Sequence, residues 1–450
     1  MPTIRSVLTG ILFFVCLMAL ALSSAAQQAA FSHARIEDSA GGETWMLLDQ
    51  NRSTKRSVSS DNVFTLHCES LVSSLYLIWD QAPGEWRLNT PQAELLCGTD
   101  SFIHEFIALD SPSAELSIHL GGDAVLCDIY LFDSKTSPDW VQCWQPPLQK
   151  ADFLLLPTHA DDEHLFFGGI MPKYLDKGCA VQVAYMVNHH TEPYRPHELL
   201  NGLWAVGIRN YPVIPSFPDM FSDSLAHAKT IYQEQQIIDY QVGLIQRFKP
   251  QVIVGHDLDG EYGHGAHMLN AHSLLKAVEI AAPEHDTPKL YLHLYSQNEV
   301  VLDYDTPLES FNGKTAFEMA VLGFSKHISQ QTYFQVEKAG PYDCRKFGLI
   351  KTTVGPDNNK DDLFENLLSY SEQDALAKLE EASALPVFAS SSEPVSAGDP
   401  LETLSEDLLS VPSANQAPAF IALLLTAGLI LAVISILRFF YISQRTRRRK

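Results

Sequence analysis

The first third of the chain alternates apolar and polar residues with a period of two. The stretches AELSIHLGG at residues 114–122 and VLCDIYLFD at residues 125–133 both show this alternation, and turn-forming residues separate such runs. The alternation predicts half-buried antiparallel strands. Several short strands at this spacing favour a smaller all-β domain, a β-sandwich, over residues 27–147.

Beyond residue 148 the apolar residues occur in short continuous runs instead. Three such runs are DFLLLP, AVQVAYMV and QVIVGH, and the segment AKTIYQEQQIIDYQVGLIQRF between the last two has the period of one long amphipathic helix. Continuous runs predict strands buried on both faces, and their alternation with helices predicts a mostly parallel sheet. We therefore expect an α/β fold over residues 148–358, a Rossmann-like, mostly parallel sheet with helices on both faces. Ligands of such folds bind beyond the carboxyl ends of the strands.

The ends of the chain belong to neither predicted domain. Arg5 precedes the uncharged run VLTGILFFVCLMALAL, which is followed by small residues and predicts a cleavable signal peptide at residues 1–26. After the α/β domain we expect an acidic helical extension at 359–382, a flexible stalk at 383–417, a transmembrane helix at 418–440 and a basic tail at 441–450.

The basic tail predicts the orientation of the chain in a membrane. Basic residues that flank a span stay on the cytoplasmic side. We therefore expect a single-pass membrane protein of the secretory pathway, with the catalytic domain outside the cytoplasm and a cytoplasmic C-terminus. A C-terminal sorting signal that is later removed has the same layout, so both interpretations stay open.

Charge and cysteine content restrict the partners and the compartment. The formal net charge of the 450-residue chain is −23, and such an acidic surface repels phosphate backbones, so we expect no nucleic acid partner. All cysteines except Cys16 lie beyond the predicted signal peptide, and an oxidising compartment permits disulfides. The local pairs Cys68–Cys97 and Cys127–Cys143 are the expected bridges of the first domain, although the sequence does not determine the connectivity.

Two short motifs carry the candidate chemistry. The run HADDE, residues 159–163, follows the first apolar run, and GEYGHGAH places His264 and His267 three residues apart after the third. Two imidazoles and one carboxylate are the usual donors of a catalytic zinc, which keeps one position open for water. An acidic helix start stabilised by the helix dipole is the alternative for HADDE alone, but two such motifs after buried strands favour catalysis.

These motifs resemble the PIG-L/LmbE-like family of zinc-dependent N-acetylglucosaminyl deacetylases. HADDE matches the family's first signature, and His264-x-x-His267 matches its later His-x-x-His. The segment YRPHELLNGLWAVGI is similar to the family's Arg-x-x-Glu element and points to Arg195 and Glu198, and KHISQQ, which contains His327, is similar to its late HxSQ element. The resemblance covers about residues 151–357. The N-terminal region is weakly similar to discoidin or galactose-binding jelly rolls.

The resemblance implies a role for each motif residue. His159, Asp162 and His267 are the implied ligands of one Zn²⁺ ion, although another divalent metal would fit the same donors. Zinc lowers the pKa of its water, Asp161 removes the proton as general base, and the hydroxide attacks the carbonyl of an N-acetyl group. Zinc and His264 stabilise the oxyanion, and Asp161 returns the proton to the departing amine.

Residues around the motifs have more than one interpretation. Arg195 either contacts a substrate hydroxyl or phosphate or forms a surface salt bridge. Glu163 and Glu198 are candidates for the carboxylates that hydrogen-bond to the far nitrogen of a ligand histidine. Three more histidines are alternative ligands or structural residues: His189, His190 and His256.

The second motif departs from the family pattern. Most members have His-Pro-Asp-His, whereas Gly265 and Ala266 occupy the two central positions here. The missing aspartate helps to set the charge state of the first histidine, so the role of His264 requires a carboxylate from elsewhere. The candidates are Asp257, Asp259 and Glu261.

The expected function is that of a membrane-tethered zinc amidohydrolase. Its expected substrate is an N-acetylglucosamine-type sugar in a glycan, glycolipid or glycoconjugate. The alternatives are the same chemistry on a non-sugar amide, and an inactive surface protein that binds glycans. The N-terminal domain either contacts glycan or acts as a packing or spacer domain.

Overall fold

Two β-sheets of different character make up the part of the chain that this computed structural model describes, residues 34–189 and 191–384. The predicted signal peptide, transmembrane helix and basic tail, and nearly all of the predicted stalk, lie outside the described residues. No helix within the described ranges is long and apolar enough to cross a bilayer.

The first sheet is antiparallel throughout and has the strand order β2-β7-β3-β6-β4-β5, with β1 paired to β3. The antiparallel strands expected in the N-terminal domain are therefore present. Their bounds are β1 Ala34–Asp38, β2 Arg56–Val58, β3 Val63–Gln81, β4 Trp86–Asn89, β5 Glu94–Cys97, β6 His104–Leu120 and β7 Ala124–Phe132.

This sheet is continuous and curled, and it replaces the two separate sheets that a sandwich would have. The pairing of β3 with β6 shifts register between His67 and Val72. In a regular strand, even-numbered and odd-numbered residues face opposite sides of the sheet. Because of the shift, Phe64 before it and Leu75 and Leu77 after it all reach the same hydrophobic core. Irregular pairing of this kind bends a strand and increases its twist, which lets one sheet enclose its own core.

The second sheet is mixed and has the order β12-β13-β11-β10-β8-β9. Strands β9, β8, β10 and β11 are mutually parallel, whereas β13 and β12 pair antiparallel. The chain is therefore of the mixed α/β class. The bounds are β8 Phe153–Leu155, β9 Val181–Val183, β10 Val252–Gly255, β11 Lys289–His293, β12 Glu299–Val301 and β13 Lys346–Thr352.

Hydrophobic cores cover both faces of the second sheet. Phe153 and Leu155 pack in one core, whereas Leu154 packs in another, because successive side chains of a strand point to opposite faces. The helices are α1 Asp162–Leu165, α2 Ile170–Asp176, α3 Arg195–Ala205, α4 Leu225–Ile231, α5 Glu234–Phe248, α6 Gly265–Ala281, α7 Ala316–Phe324 and α8 Tyr370–Ala384. Residues of α2, α3 and α7 join the first core, and those of α5 and α6 join the second.

Two helix predictions need correction. The segment expected to form one long helix, residues 228–248, spans the end of α4 and all of α5, which are separated at Tyr232, whose backbone is extended. The Tyr232 hydroxyl donates to the carbonyl of Pro218 at 2.9 Å, so a contact to a distant loop interrupts the helix. The acidic extension expected over residues 359–382 is helical from Tyr370 onward.

Neither expected disulfide is present, because all cysteines in the described ranges are free thiols. The Cys127 sulfur lies 3.3 Å from Asp80 Oδ1, and the Cys143 sulfur lies 3.2 Å from Ser137 Oγ. Burial raises the pKa of the Cys127 thiol to about 12, and nearby Asp80 adds to the effect. These thiols are therefore hydrogen-bonded structural groups.

Candidate active site

Both predicted motifs lie at the same edge of the second sheet. Strands β8 and β10 are adjacent and parallel, so the chain leaves them on the same side. The loop at residues 156–161 leads from β8 to α1, and the loop at residues 256–264 leads from β10 towards α6. Asn270 of α6 holds the first loop, since its Nδ2 atom donates to Leu156 O and Thr158 Oγ1, both at 3.0 Å.

A cavity of about 540 Å³ opens at this edge. Its size is within the range of small-molecule sites in proteins. Six of the predicted site residues line it: His159, Asp161, Asp162, Arg195, His264 and His267. The other lining residues in the described part of the chain are Leu165, Phe166, Thr191, Glu192, Asp219, Phe221, Tyr262, Gln330 and Phe334.

Donor atoms of three predicted metal ligands converge on one wall of the cavity. Asp162 Oδ2 lies 3.2 Å from both His159 Nδ1 and His267 Nε2, and these nitrogens lie 3.1 Å apart. Ligand atoms about 2.0–2.1 Å from a tetrahedral zinc lie about 3.3 Å from one another, so the spacing fits a single ion. His264 adds a fourth nearby donor, because His159, His264 and His267 offer ligand atoms within 4.8 Å of one another.

The carboxylate of Asp162 is held in place by the backbone. Its Oδ2 atom accepts the N–H of His159 at 2.7 Å and that of Thr158 at 3.2 Å. Burial would raise the pKa of Asp162, but the imidazoles of His267 and His159 hold it well below its usual range. The side chain is therefore ionised and fixed, as a metal ligand requires.

The buried carboxylate of Glu261 orients His267 from behind. Glu261 Oε2 accepts from His267 Nδ1 and His256 Nδ1, each at 2.8 Å, and Glu261 Oε1 lies 2.6 Å from His293 Nδ1. Because the Nδ1 of His267 donates to Glu261, the Nε2 atom that faces Asp162 is the nitrogen left to bind a metal. Burial would lower the pKa of His267, but Asp162 and Glu261 raise it to about 10, so a metal has to displace a proton there. Burial would raise the pKa of Glu261, but the surrounding imidazoles hold it well below its usual range.

Asp161 has a backbone conformation that is uncommon for a residue with a side chain. Its φ is 124° and its ψ is −31°, and such strain is typical of functional sites. Its N–H donates to Glu163 Oε2 at 2.7 Å, which holds the turn. Burial and the neighbouring Asp162 raise the pKa of Asp161 well above its usual range, whereas Arg195, whose Nη2 atom lies 3.5 Å from Asp161 Oδ2, opposes this shift.

Arg195 also shapes the first loop. It is buried, and it donates from Nη2 to the carbonyl of Ala160. Its Nη1 atom lies 3.6 Å from Glu192 Oε2. Arg195 is therefore a component of the cavity wall and not a surface salt bridge.

The two glutamates expected to support ligand histidines contact other groups. Glu163 Oε1 lies 2.8 Å from His327 Nε2. Glu198 accepts from the N–H of Ser329 at 2.9 Å and from its hydroxyl at 2.6 Å, which connects α3 to the late HxSQ element. Among the described residues, Glu261 takes the supporting position expected of these two.

His264 precedes the first residue of α6 and caps that helix. Its Nδ1 atom accepts the N–H of Ala266 at 3.3 Å, which places the proton on Nε2. Its ring centroid lies 4.7 Å from those of His159 and His267. Burial, together with these two imidazoles, lowers the pKa of His264 to about 3, so its ring is neutral. Glu261, one of the carboxylates expected to serve His264, serves His267 instead.

Asp219 is a site residue that the sequence did not reveal. Its Oδ1 atom lies 3.5 Å from His159 Nε2, and its Oδ2 atom lies 3.0 Å from His189 Nδ1. His189 Nε2 accepts the N–H of Ala160 at 2.8 Å, so His189 supports the loop. Asp219 lies in the irregular segment between α3 and α4, which has no recognisable motif, so no sequence signal marked it. His190 lies outside the described residues.

The geometry agrees with a family comparison. The profile of the PIG-L family, described as GlcNAc-PI de-N-acetylase, matches residues 154–278. These residues form a PIG-L family domain. The domain includes both motifs and the Arg195 element, whereas His327 and the first sheet lie outside it.

Curated relatives that match part of the chain are named as deacetylases. The 1D-myo-inositol 2-acetamido-2-deoxy-alpha-D-glucopyranoside deacetylase of Streptomyces avermitilis is 25% identical over 165 residues, which are 30% of this chain and 56% of the relative. The enzyme of the same name from a Mycobacterium species is 26% identical over 172 residues, 32% of this chain and 55% of the relative. The chain thus spans about half the length of the curated relatives it matches.

A solved structure that is similar to this chain is N,N'-diacetylchitobiose deacetylase from Pyrococcus horikoshii. Its sequence identity is 15% and the TM-score is 0.31, with 41% of this chain and 73% of the other chain covered. A second similar structure is that of a conserved protein from Thermus thermophilus, with 18% identity and a TM-score of 0.31. The match covers 40% of this chain and 82% of the Thermus chain.

Proposed function

We propose that this protein is a zinc-dependent amidohydrolase that removes the acetyl group from an N-acetylglucosamine-type sugar in a glycan, glycolipid or glycoconjugate. The observation that carries the proposal is the convergence of His159, Asp162 and His267 beside Asp161 on the wall of a cavity. The PIG-L domain and its deacetylase relatives support the choice of an N-acetylated sugar.

The metal would be held by His159 Nδ1, Asp162 Oδ2 and His267 Nε2, whose mutual distances fit one ion. A zinc ion bound there supplies Lewis acidity and lowers the pKa of a water molecule. The buried Glu261 keeps His267 in the tautomer that binds metal, and Asp219 lies beside the other face of His159.

Asp161 is the proposed proton carrier. Its carboxyl group lines the cavity next to the ligand residues, and Arg195 lies beside it. Asp161 accepts a proton from the attacking water as the carbon–oxygen bond forms. It then donates this proton to the amide nitrogen as the carbon–nitrogen bond breaks, which yields acetate and a free amine.

His264 is the proposed donor to the oxyanion. Its neutral ring carries the proton on Nε2, since Nδ1 accepts from Ala266. An N–H donor that is already in place at the cavity stabilises the negative charge of the tetrahedral intermediate without reorganisation. Glu198 and Glu163 have positioning roles in this proposal. Glu198 holds α3 against Ser329, and Glu163 accepts the N–H of Asp161 and so holds the first loop.

The wider setting of the enzyme is also a proposal. The parallel strands β9, β8, β10 and β11, with the cavity beyond their carboxyl ends, support a Rossmann-like catalytic fold. From the sequence of the two ends we propose a single-pass protein whose catalytic domain faces away from the cytoplasm. Glycan contact by the N-terminal domain would suit such a location.

The test is release of free amine from a panel of N-acetylated sugars by the zinc-loaded full chain. We expect wild type to be active and Asp161→Asn to lose activity by about 10²–10⁴-fold while it keeps its zinc. Release of free amine from non-sugar amides, and not from the sugars, would show that the enzyme hydrolyses a non-sugar amide instead. Failure of fully metallated wild type on both classes of substrate would favour the inactive glycan-binding alternative.

A further inference from the structure

A second cavity, of about 330 Å³, adjoins the catalytic cavity. Four aromatic residues line it, and we name it the aromatic groove: Tyr262, Tyr333, Phe334 and Tyr342. Tyr262 and Phe334 line the catalytic cavity as well. The two cavities are therefore neighbours that share an aromatic wall.

The shared wall is rigidly built. The Tyr262 ring centroid lies 4.1 Å from that of Tyr342 and 5.3 Å from that of Phe334. The backbone of Tyr262 has a φ of 59°, in the left-handed region that aromatic residues rarely adopt. Strain of this kind persists where the surroundings over-determine a conformation, often at ligand sites. Tyr262 is thus held in place before any ligand arrives.

The groove keeps aromatic surface in contact with solvent. Tyr333 is 75% exposed and Tyr262 is 45% exposed, although large apolar side chains normally bury most of their surface. An exposed aromatic cluster with a polar rim is typical of a binding site. Gln331, Gln335 and Glu337 supply that rim here.

The charge of the two cavities restricts the ligand. Among the described lining residues, Arg195 is the sole lysine or arginine, and it already lies beside Asp161 and Glu192. The carboxyl group of Asp219 adds negative charge to the catalytic cavity, and that of Glu337 adds negative charge to the aromatic groove. Apart from a metal ion at the three ligand residues, the described lining offers no cation free of a carboxylate partner, so a phosphorylated headgroup in the groove would gain no charge partner there.

We infer that the aromatic groove binds a second, uncharged pyranose ring, so that the substrate is an N-acetylated oligosaccharide chain. Pyranose rings have apolar C–H faces that stack on aromatic rings and a hydroxyl edge that suits the amides of the rim. The inference rests on the proposed function, since it places a further sugar beside the one that is deacetylated.

The experiment compares kcat/KM for amine release by the zinc-loaded full chain from N-acetylglucosamine, N,N'-diacetylchitobiose and GlcNAc-phosphatidylinositol. We expect the disaccharide to exceed the monosaccharide by about three- to tenfold, the gain that one stacked ring supplies. We expect the anionic phosphoinositide to be poorer than the disaccharide.

Tyr333→Ala and Tyr342→Ala should bring the disaccharide-to-monosaccharide ratio close to one. Leu379→Ala is the control, because Leu379 is a 67% exposed apolar residue of α8 that lines neither cavity, and it should leave the ratio as it is. Melting curves of each variant verify its folding, and Tyr333 is exposed enough for its loss to spare the core.

The outcomes separate the two proposals. Equal kcat/KM for the two sugars in wild type, an unchanged ratio in both tyrosine variants, or a preference for the phosphoinositide would overturn the groove assignment and leave deacetylation standing. Absence of release from all three substrates would overturn the proposed function, and the groove assignment with it.

Discussion

The Nδ1 atom of His267 lies 2.8 Å from the Oε2 atom of the fully buried Glu261. This contact fixes the tautomer of the ring, so it should act on metal binding. We expect Glu261→Gln to weaken zinc affinity by about 10–100-fold. Competition with a chelator measures the affinity, and exposed Glu309→Gln is the control. Equal affinity of Glu261→Gln and wild type would remove the role given to Glu261.

A hydrogen-bond network joins the first sheet to helix α3. His197 Nε2 lies 3.0 Å from Asp80 Oδ1, and His197 Nδ1 lies 2.9 Å from His104 Nε2. Asp80→Ala leaves the buried His197 without this acceptor and should lower the free energy of unfolding by about 1–3 kcal/mol. Urea unfolding measures the change, with exposed Asp110→Ala as control. Equal losses in the two variants would show that the network adds no stability.

Two helical glycines provide a matched pair for a packing test. A Cβ at Gly323 of α7 would lie 2.3 Å from His164 Cε1, whereas a Cβ at Gly243 of α5 would meet nothing within 4 Å. We expect Gly323→Ala to destabilise the protein by about 1–3 kcal/mol. Gly243→Ala should stabilise it by about 0.5–1 kcal/mol, because alanine is the better helix former. Changes of the same sign in thermal unfolding would contradict this account.

Asp128 of β7 should make stability depend on pH. Its Oδ1 atom accepts the N–H of Gln50 at 3.0 Å, while its Oδ2 atom has no hydrogen-bond partner among the described residues. Burial, with a smaller contribution from Asp49, raises the pKa of Asp128 from 3.8 to about 7. The unfolded chain therefore loses this proton at lower pH than the folded protein does, so this side chain costs more stability as pH rises from about 4 to about 7.

Asp128→Asn removes that cost. We expect its Tm to exceed that of wild type by an amount that is small near pH 4, grows with pH and levels off above about pH 7. Scanning calorimetry at several pH values measures the difference, with exposed Asp110→Asn as control. A difference that does not change with pH would contradict the raised pKa.

Periodicity predicted the kinds of element but not their interruptions. The alternating runs are strands of the first sheet and the continuous runs are strands of the second. The break at Tyr232 between α4 and α5 arises from a hydroxyl that reaches Pro218, and the curl of the first sheet arises from a register shift within β3. Both depend on distant partners, which a local pattern does not contain.

The candidate site also has a part that the sequence predicted and a part that it did not. HADDE and GHGAH could be placed at one sheet edge because each follows a buried strand, and the assignments of their chemical roles stay predictions. The partner of His267 differs from the expected Glu163 or Glu198, since Glu261, a candidate partner of His264, reaches His267 from the second loop. Asp219 carried no signal, because its position beside His159 depends on the path of an irregular segment.

The sequence by itself determined the two motifs, the strands that precede them and the class of chemistry that their donor atoms permit, because these depend on residue type and local spacing. The tertiary structure alone decided which carboxylate supports which imidazole, that Tyr262 lines both the catalytic cavity and the aromatic groove, and that the cysteines of the described residues stay unpaired. These features depend on distances between segments far apart in the chain, and such distances exist only once the two sheets and their helices have packed.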